Sequence, residues 1–447
     1  MAPREWFILG KADHRLVLLS ILTGTFLVPV NSTMIAVGLP TIADSLGVPL
    51  AQASWVITIY LIIMAAVQPI AGKMGDLYGK KTMFLIGMLM FLAAATACMM
   101  SFNLLLLICF RALQAIGGAI AAPNASALIR DIVPRERLGR TFGTFGLMMG
   151  LGAAIGPLVG SLLIGLWGWT SIFWINIPFA LFSLLMAYIY LPSTGPKSGA
   201  PLDILGSFYL ALGFTLLTLS ITHPQFLNVW TAVILALTVV LFIRQERRSR
   251  EPLIQFTLFR IQSFTSANFS IMLSNAIMYS TILVMPVLLQ KEFHYSVQNI
   301  GVLLFIFSLA MSACSWFGGS LTERIGKKRL VLLSFFVSGA ALLGYLGIYV
   351  YPSFPYIAAV LLIGGIGGGI GTPSMQAASL QAVPKDMSGV ASGIFSTFRY
   401  LGGMAASVMV SLMLDYHLLF YCLLALAVIG FPLSRGLMDS RGISADR

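Results

Sequence analysis

Long apolar segments separated by short charged loops restrict the fold of this chain more than any other feature. A helix needs about 20 predominantly apolar residues to cross the hydrocarbon core of a bilayer. Fourteen segments reach or approach that length: 17–38, 53–71, 83–100, 104–121, 142–166, 172–190, 204–221, 229–243, 264–289, 300–319, 330–350, 356–378, 390–414 and 418–433. The chain is 58% hydrophobic and only 9% charged, whereas soluble domains carry roughly 25% charged residues. The sequence therefore predicts an all-α polytopic membrane protein with about fourteen transmembrane helices.

The positive charges follow the same segmentation. If both termini are cytoplasmic, every lysine and arginine falls in a cytoplasmic loop or terminus, except Lys291, Arg111 and Arg399. Because cytoplasmic loops are enriched in positive charge, we predict a multi-pass protein of the plasma membrane with both termini in the cytoplasm. The net charge of +12 does not indicate a nucleic-acid partner, since the basic residues form short clusters between apolar runs.

A ten-residue pattern occurs twice between apolar segments. A glycine, an acid, a second glycine and two lysines have the same spacing in both copies, at Gly72, Asp76, Gly79, Lys80 and Lys81 and at Gly319, Glu323, Gly326, Lys327 and Lys328. Further matches lie at an offset of 250 residues, such as Pro123 with Pro373 and Pro134 with Pro384. Related halves of this kind are typical of secondary transporters. Because 204–243 has no counterpart, we predict an N-terminal six-helix bundle (1–192), a linker with two extra transmembrane helices (193–250) and a C-terminal six-helix bundle (251–447).

The repeated motif is predicted to be a turn that controls conformation. Gly72 and Gly79 would let helix ends approach closely, and Asp76 could meet a helix N-terminus or an arginine. An ionic latch of this kind would hold one conformation and release in another. The alternative is that Lys80 and Lys81 only set the topology.

The fifth apolar segment carries small residues at helical spacing. Gly150, Gly156 and Gly160 would allow two helices to pack backbone against backbone, and Pro157 would permit a bend. We assign these residues a role in conformational change. Generic tight packing is the alternative.

Two arginines lie inside predicted spans. A charged side chain at that depth costs several kcal/mol unless it faces a partner or a water-filled cavity, so Arg111 and Arg399 are candidate substrate-contacting residues. The alternative for each is a bond to carbonyls near a helix end. Further polar candidates for the same cavity are Asn31, Gln68, Gln114, Asn124, Asn268 and Asn275. Any one of these could instead form an interhelical hydrogen bond.

Titratable groups are confined to the ends of the predicted spans. All fifteen acids and all four histidines fall in loops, termini or span ends, so we expect no carboxylate or imidazole in mid-membrane, where proton relays are found. The sequence shows no phosphate-binding loop, nucleophile–base pair or metal-ligand spacing. We therefore expect no enzymatic activity, no cofactor and no metal site.

Taken together, these motifs resemble the major facilitator superfamily over nearly the whole chain. Residues 72–81 are similar to its signature between the second and third helices, and 111–117 to its fourth-helix arginine motif. Residues 152–160 resemble the fifth-helix signature associated with antiporters. The two extra central spans and residues 252–260 resemble the fourteen-helix branch of drug:proton antiporters. The resemblance implies the major facilitator fold, rocker-switch alternating access, and efflux driven by proton entry.

Three positions depart from the pattern of that branch. Asn31 stands where the branch has an aspartate in its first helix. Ser161 replaces the closing glycine of the fifth-helix motif, and Thr170 replaces an arginine. An amide can neither carry a proton nor attract a cation as a carboxylate does, so the first departure bears on cation selectivity and proton coupling.

The leading functional hypothesis is a secondary active transporter that exports amphiphilic small molecules or drugs by proton-coupled antiport. One alternative is an exporter or flippase for an anionic metabolite or lipid, which the two membrane arginines without a central acid would favour. A second alternative is a membrane sensor or scaffold that does not transport. We expect the partners to be the lipid bilayer, an amphiphilic substrate and protons, and we expect a monomer.

The predicted topology places Thr222 and Arg248 on opposite faces of the membrane, because one span separates them. Cysteines introduced at each position should react with an impermeant thiol reagent from opposite sides of intact cells. Labelling of both positions from the same side would contradict the fourteen-span layout.

Overall fold

The computed structural model describes residues 11–192, 202–222, 226, 228–249, 252–412 and 415–438. Within those residues the regular structure is entirely helical. The α-helices of the first part of the chain are α1 (Lys11–Leu46), α2 (Leu50–Ala53), α3 (Trp55–Tyr78), α4 (Lys80–Met99), α5 (Leu104–Ile132), α6 (Leu138–Trp167), α7 (Ser171–Trp174), α8 (Asn176–Tyr190), α9 (Ile204–Thr222) and α10 (Val229–Arg248). The remainder are α11 (Gln262–Lys291), α12 (Val297–Ile325), α13 (Lys327–Leu346), α14 (Phe354–Ile370), α15 (Thr372–Gln381), α16 (Ser388–Leu412) and α17 (Tyr416–Arg435).

The helices confirm the prediction of an all-α polytopic membrane protein. Among the described residues, 12 helices are long and apolar enough to cross a membrane. The other two predicted spans correspond to α9, whose described apolar part Ile204–Ser220 is shorter, and to α16, which contains Arg399 and several serines. The predicted end of that last span, at residue 414, lies outside the described residues.

The repeated motif differs from the predicted turn, because most of it is helical. Helix α3 continues through Asp76 to Tyr78, and α4 begins at Lys80. Only Gly79 interrupts the two helices, with φ of 98°, and Gly326 does the same between α12 and α13 with φ of 90°. Glycine adopts this conformation without a Cβ penalty, so a single residue is enough to reverse the chain.

The second set of sequence matches is reproduced in local structure. A short 3-10 helix, Arg135–Arg137, precedes α6, and a second one, Lys385–Met387, precedes α16. These elements occupy matching places in the two repeats. The structure therefore supports the internal repeat that the sequence indicates.

One compact unit comprises Met1–Asp131, Gly152–Ile254 and Lys385–Ile394. Its main apolar core lies where α1 and α3 meet α5, α6 and α7, and includes Met34, Val56, Leu107 and Ile172. The extra helices α9 and α10 pack against each other, and α9 also packs against α3. The central pair is thereby joined to the helix that carries the repeated motif.

The other compact unit comprises Ile132–Leu151, Gln255–Pro384 and Phe395–Arg447. Helices α11, α12, α13, α14 and α17 share an apolar core, which includes Leu288, Phe307, Tyr345 and Phe420. The predicted domain boundaries next to residues 193 and 250 lie at positions outside the described residues, and they remain predictions.

Candidate functional site

Arg111 lies at the centre of a polar cluster within the first unit. Its side chain is 1% exposed. Its Nη1 atom donates hydrogen bonds to Asn31 Oδ1 at 2.5 Å and to Gln114 Oε1 at 2.6 Å, and its Nε atom donates to the Val56 carbonyl at 3.4 Å. The guanidinium carbon lies 4.3 Å from the centre of the Tyr60 ring, at a distance suited to a cation–π contact. Helices α1, α3 and α5 thus all contribute to the surroundings of one buried cation.

The partners of Arg111 leave its charge uncompensated. In the described part of the chain its hydrogen-bond acceptors are amide and peptide oxygens, and no carboxylate is among them. Asn31 occupies the place where an acid would form an ion pair. The amide nitrogens of Asn31 and Gln114 are buried and have no acceptor within the described residues. The cluster therefore combines a positive charge with unused N–H donors, and it suits an electron-rich or anionic group.

Tight packing of α6 against α1 positions this cluster. A Cβ atom on Gly156 would lie 1.9 Å from Thr33 Oγ1, and one on Gly160 would lie 3.1 Å from the Met34 Cα atom. Pro157 lies within α6, which continues from Leu138 to Trp167. These glycines let the backbone of α6 approach that of α1 at Thr33 and Met34, which follow Asn31 by two and three residues. In the second unit, Gly150 similarly faces Ser312.

The other two candidates of the first unit, Gln68 and Asn124, lie apart from the hydrogen bonds of Arg111. Asn124 Nδ2 donates to the carbonyls of Ala71 at 3.0 Å and Ile120 at 2.8 Å. Its Oδ1 atom fills the space that a side chain at Gly75 would need, so it fixes α5 against α3. Gln68 is 1% exposed, and neither polar atom of its side chain has a hydrogen-bond partner within the described residues.

The candidates of the second unit form no shared hydrogen-bond cluster among the described residues. Asn268 Nδ2 donates to the Phe264 carbonyl and to Ser379 Oγ, and Asn275 Nδ2 donates to the Ile271 carbonyl. Arg399 is half-buried, and its guanidinium carbon lies 5.9 Å from the centre of the Tyr400 ring. The asparagines are thus used mainly for contacts within and between helices.

Asp76 bonds directly to the beginning of a helix from the other repeat. Its two carboxylate oxygens accept hydrogen bonds from the backbone N–H groups of Gly389 at 2.9 Å and Val390 at 2.8 Å. These N–H groups belong to the first turn of α16, where helical donors lack intrahelical partners and the helix dipole favours negative charge. We call the group formed by Asp76, Lys80, Asp131, Ser388 and the first amides of α16 the clasp.

Lys80 completes the clasp. Its Nζ atom lies 2.7 Å from Asp131 Oδ2 and 3.6 Å from Asp76 Oδ1. It also donates to Ser388 Oγ and to the Lys385 carbonyl. Two acids from different helices therefore share one buried ammonium group with the start of α16.

Gly72 permits this close approach. A Cβ atom at Gly72 would lie 2.2 Å from the Gly389 carbonyl oxygen, a distance that real contacts do not reach. Any larger residue at position 72 would push α3 away from the beginning of α16 and would lengthen the hydrogen bonds of Asp76.

The second copy of the motif keeps the packing, but its acid and its first lysine are placed differently. A Cβ atom at Gly319 would lie 2.5 Å from the Gly139 carbonyl oxygen, a close approach of the same kind as that of Gly72 to Gly389. Glu323, however, is exposed. Lys327 donates to the neutral side chain of Gln381, which stands where the first repeat has Asp131. The clasp is therefore present in one copy of the motif.

Sequence reasoning missed several charged residues, namely the buried Lys73, Asp203 and Glu246 and the half-buried Asp131. For Asp131 a signal was available. At the repeat offset of 250 residues its counterpart is Gln381, so the first repeat has an acid where the second has a neutral side chain. For Asp203 the signal was its place directly before an apolar helix, where aspartate is a favoured cap. Glu246 lies among arginines and gave no signal.

The family model for the Major Facilitator Superfamily matches residues 21–266 and 264–441. The chain is 46% identical to the uncharacterized MFS-type transporter YvkA of Bacillus subtilis over 424 residues, which are 94% of this chain and 95% of that protein. The chain therefore belongs to the major facilitator superfamily. It is a multi-pass membrane transporter and not an enzyme.

Two further similarities bear on fold and relatives. The multidrug transporter protein MdtP of Bacillus subtilis is 27% identical over 88% of this chain and 74% of its own length. The crystal structure of the human organic anion transporter MFSD10 (TETRAN) matches with a TM-score of 0.70 and 16% identity, over 94% of this chain and 99% of that one. The second match confirms the major facilitator fold.

We expect Asp76→Asn to slow transport while substrate binding is retained. The substitution removes the charge that faces the start of α16 and Lys80, so the conformation held by the clasp loses about 1.4 kcal/mol and turnover falls about tenfold. Initial transport rates and equilibrium binding of the same substrate, both measured in proteoliposomes, check this outcome.

Glu323→Gln is the matched control, because Glu323 is the exposed acid of the second copy. This variant should retain normal turnover. Normal turnover in Asp76→Asn, or loss of binding there, would rule out the clasp as a conformational latch.

Proposed function

We propose that this transporter exports amphiphilic small molecules across the plasma membrane by alternating access, coupled to antiport of protons. The name of its relative MdtP, a multidrug transporter, supports drug-like substrates. The resemblance of its motifs and central helix pair to the fourteen-helix drug:proton antiporters also supports drug-like substrates and proton antiport. We also propose that it acts as a monomer with both termini in the cytoplasm, which would place the clasp at the cytoplasmic ends of its helices.

The charge of the Arg111 cluster sets the proposed substrate preference. Arg111 is buried, is bonded to neutral oxygens within the described residues, and lies next to two amides with unused donors. At an effective dielectric constant of roughly 20, one charge repels another a few ångströms away by several kcal/mol. We therefore propose that neutral and anionic amphiphiles are exported better than quaternary cations.

The same observation favours a second candidate function, export or flipping of an anionic metabolite or lipid. Both functions are compatible with an uncompensated positive charge near the substrate path. They differ in substrate range, because a drug exporter accepts many unrelated amphiphiles and a dedicated exporter accepts one chemical class. Export of several unrelated dyes would favour the first function.

Asn31→Asp should shift substrate preference toward cations by about tenfold or more, because an ion pair with Arg111 would remove the repulsion worth at least about 1.4 kcal/mol. Export should also become more dependent on pH, since the new carboxylate can bind a proton. Competition between cationic and anionic dyes of matched size, measured in everted membrane vesicles, tests both effects.

Asn103→Asp provides the control for added charge. Asn103 is exposed and caps the start of α5 by accepting a hydrogen bond from Leu106 N, a place that tolerates aspartate. The Asn103→Asp variant should keep the dye preference of the unmodified protein. If the unmodified protein already exports monovalent cations best, the charge argument is wrong, and cation binding must depend on aromatic faces.

A further inference from the structure

Two buried acids lie together in the extra central helix pair, away from the Arg111 cluster. Asp203 directly precedes α9 and is 9% exposed, and Glu246 lies in the last turn of α10 and is 3% exposed. Both belong to the first unit. Burial of two carboxylates in one place is costly unless donors or protons compensate them.

Hydrogen-bond donors surround Asp203. The backbone N–H of Gly206 donates to Oδ1 at 2.8 Å, as expected for a helix cap. The Gln245 Nε2 atom donates to Oδ1 at 3.1 Å and to Oδ2 at 3.2 Å. Both carboxylate oxygens of Asp203 therefore have hydrogen-bond donors.

Glu246 lacks comparable support. Its Oε2 atom accepts a hydrogen bond from Ile254 N at 3.1 Å, and the backbone N–H of Leu253 also acts on this carboxylate. Its Oε1 atom is buried and has no hydrogen-bond partner within the described residues. That oxygen lies near Asp203, because a Cβ atom on Gly206 would lie 3.0 Å from Asp203 Oδ2 and also 3.0 Å from Glu246 Oε1.

The charges around Glu246 come from three helices. Asp203 faces it from the start of α9, and the positive charge of Lys73 on α3 also acts on it. Arg244, Arg247 and Arg248 are on its own helix but are exposed. Glu246 thus has one acid and one buried cation in its surroundings, and neighbouring buried carboxylates do not both ionise readily.

We propose that Asp203 and Glu246 form a proton-binding site, in which Glu246 carries the proton on Oε1 and donates it in a hydrogen bond to Asp203 Oδ2. The proton gives the unused oxygen a bonding role and removes the negative charge that Glu246 would place near Lys73. When the proton passes to water, Glu246 becomes a second carboxylate opposite that lysine.

This site adjoins the clasp along one helix. Lys73 and Asp76 lie on α3, three residues apart, and α3 packs against α9. A change in the charge that Lys73 faces therefore acts one turn from the Asp76 carboxylate. Use of the proton in the transport cycle depends on the function proposed above, but the binding of the proton does not.

Infrared difference spectroscopy of the full-length protein in nanodiscs, recorded between about pH 7 and about pH 9, tests the site directly, because exposed carboxyl groups, with pKa values of about 4, stay ionised over that range. The unmodified protein should show the carbonyl stretch of a protonated carboxyl group, and Glu246→Gln should remove it. Glu136→Gln alters an exposed acid and should leave the spectrum unchanged. Absence of the band, or its persistence in Glu246→Gln, would overturn the proposal.

Asp203→Asn covers the case in which Glu246→Gln does not fold. It replaces the charged acceptor by a neutral one, so the band should move to higher frequency as the hydrogen bond weakens. An unchanged frequency would count against the proposal as clearly as a missing band.

Export measured over the same pH range separates the two proposals. Glu246→Gln should flatten the pH dependence of export at least threefold if the site is used in transport. If the unmodified protein shows the band but exports no substrate, the proton site is supported and the proposed export function is refuted. Export without the band would refute the site alone.

Discussion

The hydrogen bonds from the first amides of α16 to the Asp76 carboxylate are the interaction on which the account of this transporter depends. A helix that begins near a membrane boundary exposes N–H groups that need acceptors. Asp76 supplies two oxygens from a helix of the other repeat. The close approach at Gly72 and the shared cation Lys80 serve the same contact. Because the contact joins the two repeats and can open without breaking a helix, it suits alternating access.

Buried charge is handled in three different ways in the first unit. The clasp pairs Lys80 with two acids. Arg111 is solvated by amides, a carbonyl and an aromatic ring, with no acid among its hydrogen-bond partners in the described residues. The acids of the central pair lie together, with one oxygen of Glu246 unused. Each arrangement suits a different proposed role. The clasp is a contact that can open, the Arg111 cluster favours negative charge, and the acids of the central pair can bind a proton.

Much of the fold could be predicted from the sequence, because hydrophobic length and positive charge are local signals. Within the described residues, each of the fourteen apolar segments is mainly helical. The helical course of Gly72 to Tyr78 could not be predicted, since glycines and charges at that spacing resemble a turn. The partnership of Arg111 with Asn31 joins residues far apart in sequence. The exposure of Glu323, despite its match to Asp76, depends on tertiary packing that a repeat alone does not determine.

Amide hydrogen exchange at Gly389 and Val390 is the most direct test of the central claim, that the clasp closes and opens during transport. The measurement compares the protein in liposomes at rest with the same protein exporting a dye along a proton gradient. The account predicts slow exchange at rest, where Asp76 accepts both amides, and faster exchange during turnover as the clasp opens. Equal exchange rates in the two conditions would contradict it.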